Sequence, residues 1–220
     1  MNIQGIVFDV DGVLFDTEQL SRQIWETVST EFGYPQVGQR YLEFVGNNRT
    51  DTFEKLERYF GPDFPKESFL LTCSERLQEH VEEHGVPLKP GVHEILDFLT
   101  AQHIPIALAT STGRQRTQRR MELSGLSHYF CAMITGDQVT HSKPHPEIYQ
   151  IACEQLHLAP LHVLAIEDSK NGILSASGAG MQVAMVPDLI PPTQQLDALL
   201  TCRCASLLEL KDWIAPHLER

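Results

Sequence analysis

The sequence contains no apolar run that approaches the roughly 20 residues needed to cross a lipid bilayer. Its first residues lead almost at once into a strand-like run, without the basic segment that begins a signal peptide. Cysteine is also scarce: the five residues are an odd number, lack zinc-ribbon spacing, and three lie in apolar runs. These absences argue against a membrane span, a secretory signal and a disulfide scaffold. We therefore expect a cytoplasmic protein with reduced thiols and no membrane partner.

The chain also lacks an excess of positive charge. Its 220 residues carry 29 Asp and Glu against 17 Lys and Arg, which gives a formal net charge of −12. A broad nucleic-acid surface needs a basic patch, so we expect no nucleic-acid partner. An anionic small molecule is compatible with this charge, because a metal ion or a single Lys reverses the sign locally.

Short apolar runs alternate with helical patterns over most of the chain. Strands that alternate with helices predict βαβ units, right-handed crossovers and a parallel sheet. We therefore predict an α/β fold with a Rossmann-like parallel sheet core. The apolar runs are 5–8, 104–109, 131–134, 162–166 and 181–186, and the helical patterns are 92–101, 114–124, 146–157 and 171–179.

Residues 17–88 interrupt this alternation. The segment opens with the amphipathic pattern TEQLSRQIWETVSTEF, and the patterns that follow are helical, with no strand pattern among them. It ends near residues 85–92, GVPLKPGV, whose Gly and Pro residues are typical of a linker. We predict an all-helical cap domain at 17–88, inserted into an α/β catalytic core that comprises 1–16 and 89–220.

Acidic, hydroxyl and lysine side chains follow successive predicted strands. Ligands of a parallel sheet bind outside the carboxyl ends of its strands, so these side chains should meet at one rim. Each of them alone has a structural explanation, as a turn, a helix cap or a solvated charge, and it is their joint placement that indicates a site. They are Asp9 and Asp11 after the first strand, Thr110, Ser111 and Thr112 after the second, Lys143 beyond the third, and Glu167 and Asp168 after the fourth.

The paired acids at this rim suit phosphate chemistry. Side chains at i and i+2 of an extended segment point the same way, so Asp9 and Asp11 should face one space. Clustered like charges need a compensating cation, and all-oxygen ligands favour Mg²⁺. One carboxylate can attack phosphorus and form an aspartyl-phosphate, while a second protonates the leaving oxygen and later activates water. Thr110 and the amides after it can hold the phosphoryl oxygens, whose charge Lys143 can neutralise.

The motifs DVDGV, ALATST, SKPHPEIY and IEDSKNG resemble, in order and spacing, those of the haloacid dehalogenase-like superfamily, in its β-phosphoglucomutase-like branch with a helical cap. The resemblance covers essentially the whole chain. It implies that Asp9 is the nucleophile and Asp11 the general acid/base, and that Thr110 and Lys143 bind the phosphoryl group. It also implies a magnesium ion held by Asp9, the Asp11 carbonyl and Asp168, with Glu167 beside it.

Cap residues should select the substrate. Arg49 matches an Arg that grips the distal phosphate in the mutases of this branch, but Ser21 stands where they carry a His, and residues 70–80 contain no Lys for a second grip. DTEQL, IPIALATSTG and GMQVAMVPD are similar to pseudouridine-5′-phosphatase-like members. We therefore predict a phosphatase, a monomer or weak dimer, that acts on a small sugar or nucleoside phosphate. The expected substrate contacts are Glu18, Arg49 and Ser111, and Ser21, Asn47 and Asn48 could also face the site.

Three alternatives remain at this point. A β-phosphoglucomutase-type isomerase uses the same core chemistry. A non-catalytic phospho-acceptor receiver also clusters Asp, Ser/Thr and Lys on a parallel sheet, but it would be about half this length, without a helical insertion. The segment His80-Val-Glu-Glu-His84 fits the H-x-x-E-H pattern of a metalloprotease, although no third ligand is evident.

Overall fold

A parallel six-stranded sheet lies at the centre of the structure, a computed structural model that describes residues 2–47, 49–191 and 193–218. The strand order within these residues is β3-β2-β1-β4-β5-β6, and every neighbouring pair is parallel. This confirms the predicted α/β class. The strands are β1 (Gly5–Phe8), β2 (Ile106–Thr110), β3 (Ala132–Thr135), β4 (Val163–Glu167), β5 (Gln182–Met185) and β6 (Cys202–Arg203).

Helices cover both faces of this sheet. Because alternate side chains of a strand point to opposite faces, Ile6 and Phe8 pack into one apolar layer and Val7 packs into the other. The helices are α1 (Thr17–Glu31), α2 (Pro35–Gln39), α3 (Arg49–Phe60), α4 (Lys66–His84), α5 (Val92–Ala101), α6 (Arg114–Leu123), α7 (Glu147–Leu156), α8 (Lys170–Gly178), α9 (Gln194–Asp197) and α10 (Leu207–Ile214). Across the described part of the chain, none of the helices has the length and apolar content that crossing a membrane requires.

Three predicted strands, β2, β3 and β4, end one residue later than expected. Thr110 still pairs in register with Thr135 of β3, and Glu167 pairs with Met185 of β5. Both side chains therefore occupy the last strand position, where the sheet fixes their backbone. β6 and α10 were not predicted, because their apolar residues lie in a segment with a weak pattern.

Helices α1 to α4 occupy the segment predicted as an insertion, whose domain boundaries remain a prediction. They surround an apolar cluster of their own that includes Val28, Leu56 and Phe69. The chain leaves and re-enters the sheet region through two adjacent segments. The backbone N–H of Asp16 donates to Pro87 at 2.8 Å, and that of Lys89 donates to Leu14 at 2.9 Å.

Candidate active site

Lys143 lies at the centre of the polar rim, buried between two acids. Its Nζ donates to Asp9 Oδ1 and to Glu167 Oε1, both at 2.6 Å, and to the Ala109 carbonyl at 2.9 Å. Burial alone would lower the pKa of Lys143, but the charges of the two acids raise it. Lys143 therefore remains a cation and holds Asp9 in place at the end of β1.

Glu167 is fully buried, and hydrogen bonds fix both of its carboxylate oxygens. Oε1 accepts from Lys143 and, at 2.6 Å, from the Tyr149 hydroxyl, whereas Oε2 accepts from the backbone N–H and the hydroxyl of Ser169. Gly172 makes room for it, because a Cβ at that position would lie 1.8 Å from Oε1. The carboxylate thus orients Lys143 on one side and the start of α8 on the other.

Asp11 has a separate set of partners. Its Oδ1 accepts from the Thr17 hydroxyl and from Arg120 Nη1, each at 2.7 Å, and its Oδ2 accepts from the Thr112 hydroxyl at 2.8 Å. Burial raises the pKa of Asp11, but the Arg120 charge and the three hydrogen bonds outweigh it and lower the pKa below the ordinary 3.8. Asp9 and Asp11 line one cavity, as predicted, and each has its own cation.

Three buried carboxylates form a compact oxygen cluster beside this pair. Asp9, Glu167 and Asp168 each place one oxygen within 4.8 Å of the others. Burial and the Glu167 charge raise the pKa of Asp9 to about 8, against the opposing Lys143 charge, and they raise the pKa of Asp168 well above its ordinary value. The donor set is oxygen only and is short of positive charge, which fits a hard divalent cation such as Mg²⁺.

Turn geometry brings the first motif close to this cluster. Gly12 has φ +86°, and a Cβ there would lie 2.3 Å from Asp168 Oδ2, so the turn after Asp11 requires glycine. On the neighbouring strand, the buried Thr110 hydroxyl accepts the backbone N–H of Thr112 at 3.1 Å. Ser111 is exposed and lines the cavity, so this turn offers hydroxyl groups at its edge.

The insertion supplies the opposite face of the cavity. Glu18 Oε2 accepts from the Tyr41 hydroxyl at 2.7 Å, and burial raises the pKa of Glu18 to about 7. Arg49 is exposed, with its guanidinium 5.0 Å from the centre of the Phe53 ring, and Ser21 and Asn47 also line the cavity. Asn48, the other expected cap contact, lies outside the described residues.

The cavity between the two faces has a volume of about 510 Å³. A second cavity of about 340 Å³ lies beside it, and Glu18, Ser21 and Arg49 line both. The amide of Asn171, on α8, donates at 2.7 Å to the carbonyl of Gly46, which lines both cavities. A volume of this size suits a small metabolite.

Several residues at the site were not predicted from the sequence. Arg120 was missed because an Arg within a polar helix looks solvated, yet it is 5% exposed and pairs with Asp11. Arg116, four residues earlier on α6, is exposed and lines both cavities. Tyr149 was missed because it reads as an ordinary core aromatic of α7. The spacing of three residues between Thr117 and Arg120 puts both on one face of α6, but only the structure shows that this face is buried.

Comparisons with known proteins agree with the predicted motifs. The sequence profile described as "Haloacid dehalogenase-like hydrolase" matches residues 6–186. A Thermotoga maritima protein named "Phosphorylated carbohydrates phosphatase" is 33% identical over 180 residues, which cover 82% of this chain and 83% of that protein. An Oceanobacillus iheyensis protein named "Pyrophosphatase PpaX" is 33% identical over 199 residues, 89% of each chain.

A solved structure has the same architecture. It is that of a haloacid dehalogenase family hydrolase from Deinococcus radiodurans R1 with bound phosphate and sodium. It superposes with a TM-score of 0.79 at 26% identity, and the match covers 98% of this chain and 96% of that one.

Proposed function

This chain belongs to the haloacid dehalogenase-like hydrolases, and we propose that it hydrolyses a small phosphate monoester of a sugar or nucleoside through an aspartyl-phosphate on Asp9. The observation that carries the proposal is the fixed position of Asp9, which contacts Lys143 and lies among buried acids at the base of the cavity. The phosphatase names of curated relatives support the same reaction class.

In the first step, a carboxylate oxygen of Asp9 attacks phosphorus and the bond from phosphorus to the ester oxygen breaks. The leaving oxygen takes a proton from Asp11. In the second step, water attacks phosphorus, Asp11 accepts its proton, and the bond to Asp9 breaks to release inorganic phosphate. The lowered pKa of Asp11 suits the second role, and the negative charge of the incoming phosphate favours the proton uptake that the first role needs.

The phosphoryl group would lie between the ends of β1 and β2. Lys143 would face its oxygens with positive charge, and Thr110 and Ser111 would offer hydroxyl and backbone N–H groups. Glu18 and Arg49 would contact the remainder of the substrate from the insertion side. These residues line the cavity, and their substrate contacts are part of the proposal.

Asp9 and Asp168 would hold the proposed Mg²⁺, together with the backbone carbonyl of Asp11. When bound, the cation would supply positive charge that stabilises the negative charge of the phosphoryl oxygens. Glu167 belongs to the proposed magnesium site as the residue beside the ion. Its oxygens already accept hydrogen bonds from Lys143 and Ser169.

A phosphate-release screen with Mg²⁺ tests the proposal. The panel contains sugar phosphates, nucleoside monophosphates including pseudouridine 5′-phosphate, and inorganic pyrophosphate. We expect multiple-turnover release from at least one monoester, loss of activity in excess EDTA, and recovery with Mg²⁺ but poor recovery with Zn²⁺. Full activity in excess chelator would exclude the metal-dependent scheme. Phosphate release from pyrophosphate alone would show that the substrate is pyrophosphate rather than a phosphate monoester.

One observation supports the mutase alternative. Arg116 and Arg49 line the same cavity, and together they could grip a substrate with two anionic groups. Arg76, within residues 70–80, instead pairs with Glu31 at 2.6 Å. Glucose 6-phosphate formation from β-glucose 1-phosphate and a bisphosphate primer, with little inorganic phosphate released, would favour the mutase.

We also retain the expectations of a cytoplasmic location and of a monomer or weak dimer. All five cysteines are free, and Cys73, Cys153 and Cys204 are buried, which is compatible with a reducing compartment. Size-exclusion chromatography with light scattering would measure the oligomeric state.

A further inference from the structure

A second group of metal-ligand side chains lies on the surface segment that leads into α7. Among the residues that the structure describes, His141, His145 and Glu147 each place one ligand atom within 4.8 Å of the other two. Both imidazoles are exposed and Glu147 is half-buried at the first position of α7. The proposed phosphatase mechanism uses none of the three.

We propose that His141, His145 and Glu147 bind a transition-metal ion of the Zn²⁺ class, with water at the remaining positions. This site is separate from the phosphatase mechanism. Three features indicate it: the spacing of the ligand atoms, the fixed position of the carboxylate and the chemical type of the three donors.

The spacing of the ligand atoms fits such an ion. Nδ1 of His141 lies 3.0 Å from Glu147 Oε2, and Nδ1 of His145 lies 3.9 Å from the same oxygen. Ligands at about 2.0–2.1 Å from a tetrahedral Zn²⁺ are separated from one another by about 3.3 Å. The two observed separations lie on either side of this value, so small side-chain rotations would complete the geometry. The imidazole ring centres are 4.5 Å apart.

The carboxylate is already fixed in position. Glu147 Oε1 accepts the backbone N–H of Thr140 at 2.7 Å, and Oε2 accepts that of His141 at 2.9 Å. His145 Nδ1 lies 3.3 Å from the backbone N of Glu147, so metal binding through this nitrogen would replace one long hydrogen bond.

The donor types distinguish this site from the active site. Two imidazole nitrogens and one carboxylate suit Zn²⁺, Co²⁺ or Ni²⁺, whereas the oxygen-only cluster around Asp9 suits Mg²⁺. The two clusters should therefore select different ions from a mixture. His141 and His145 flank Lys143 by two residues on each side, so an ion bound here would tie together the segment that carries Lys143.

The chain contains a matched control pair. His80 and His84 on α4 are exposed, with stacked rings whose centres are 4.4 Å apart, and Glu83 lies 4.0 Å from His84. These residues belong to the H-x-x-E-H pattern on which the metalloprotease alternative was based. They are absent from the two groups of three metal-ligand residues found in the described part of the chain, so they offer a histidine pair without the third fixed ligand.

The test titrates the full chain, in excess MgCl₂, with CoCl₂ followed by visible absorption and with ZnCl₂ followed by calorimetry. We expect one dominant binding event in the wild type and in His80→Gln/His84→Gln. His141→Gln/His145→Gln should weaken this event at least tenfold, and Glu147→Gln should weaken it to a smaller extent. Circular dichroism checks folding, and the single variant His141→Gln repeats the test if the double variant unfolds.

Unchanged affinity in His141→Gln/His145→Gln would overturn the proposal and assign the metal to the thiols or to the active-site acids. Loss of the binding event in His80→Gln/His84→Gln would place the metal site on α4 and would also overturn the proposal. Phosphate release with Mg²⁺ is measured separately, so failure of this site and failure of the proposed phosphatase function give different results.

Discussion

Two faces enclose the candidate active-site cavity, and they are built differently. On the core face the charged groups are paired, Lys143 with Asp9 and Arg120 with Asp11, and all are buried except the half-buried Asp11. On the insertion face the polar groups are more exposed, and Arg49 lies over an aromatic ring. Buried, multiply bonded groups hold their positions to the accuracy that bond making requires. Exposed groups on a separate set of helices can adapt to different substrates. The proposed function therefore assigns chemistry to the core face and recognition to the insertion face.

The electrostatics of the two faces follow the same division. On the core face, burial and the Glu167 charge raise the pKa of Asp9, whereas the Arg120 charge and three hydrogen bonds outweigh burial and lower that of Asp11. A divalent cation held by Asp9 and Asp168 would lower the raised pKa and return Asp9 to the ionised form that a nucleophile needs. The insertion face has Glu18, whose raised pKa arises mainly from burial.

The largest expected effect is on the core face. Asp9→Asn keeps the shape of the side chain and removes the nucleophilic charge, so we expect kcat on the best substrate to fall by about 10⁴-fold or more. Circular dichroism and thermal unfolding would show an intact fold. The matched control is Asp212→Asn on α10, where the side chain is largely exposed, and it should leave kcat unchanged. Substantial remaining turnover in Asp9→Asn would remove Asp9 from the nucleophile role.

The next effect concerns Arg120, which we expect to act on Asp11 rather than on the substrate. Arg120→Met should reduce kcat by about tenfold because Asp11 loses its charged partner while the two threonine hydrogen bonds remain. Arg119→Met is the control on the same helix, since Arg119 is exposed and pairs with Glu82. A larger loss in Arg119→Met than in Arg120→Met would contradict this role.

The same variant makes a prediction about stability and pH. Since the pKa of Asp11 is lowered in the folded protein, its ion pair stabilises the fold above the ordinary pKa of 3.8. This contribution disappears as the pH falls through the lowered value. Arg120→Met should therefore be less stable by about 1–3 kcal/mol at neutral pH, with a difference that shrinks in acid. Urea unfolding at several pH values measures it, and a difference that grows in acid would contradict the assignment.

Changes on the insertion face should affect substrate affinity more than turnover. For a substrate with a second anionic group, Arg49→Ala and Arg116→Ala should each raise KM by about three- to tenfold and change kcat by less than about twofold. Steady-state kinetics on a singly charged substrate provides the comparison, because that KM should change little. A collapse of kcat in Arg49→Ala would show that the insertion takes part in the chemistry.

The smallest expected effect is that of Glu18→Gln. With a pKa of about 7, Glu18 gains negative charge as the pH rises through neutrality, which disfavours an anionic substrate. Between pH 6 and pH 8, the KM of the wild type should therefore rise about two- to threefold more than the KM of Glu18→Gln. Parallel KM profiles for the two proteins would exclude Glu18 from substrate contact.

Most of the core-face residues predicted from the sequence are tied to strand ends. Asp9, Thr110 and Glu167 could be placed because short apolar runs end at them and a parallel topology brings such ends together. The family assignment, which the profile match confirms, depended on the same motifs. Arg120 could not be predicted from a polar helix, because the face of α6 that turns inward is decided by packing against β3 and the rim.

The missing elements have a physical reason as well. β6 comprises only Cys202 and Arg203, too short for a periodic signal, and its pairing with β5 depends on tertiary contacts. The partners of Glu18 were hidden for a different reason, since Tyr41 lies 23 residues away along the chain. Contacts between the insertion helices require their packing, which sequence periodicity does not specify.

The hydrogen-bonded pairing of residues 14–16 with residues 87–89 bears on how the chain folds. Because the two ends of the insertion meet, the whole insertion forms one closed loop attached to the sheet region. The entropy lost on closing a loop grows only logarithmically with its length, by about 0.6 kcal/mol per doubling. The sheet would thus gain little conformational entropy from a shorter connection, and an insertion of different length, joined at the same two points, should be tolerated by this core at small thermodynamic cost.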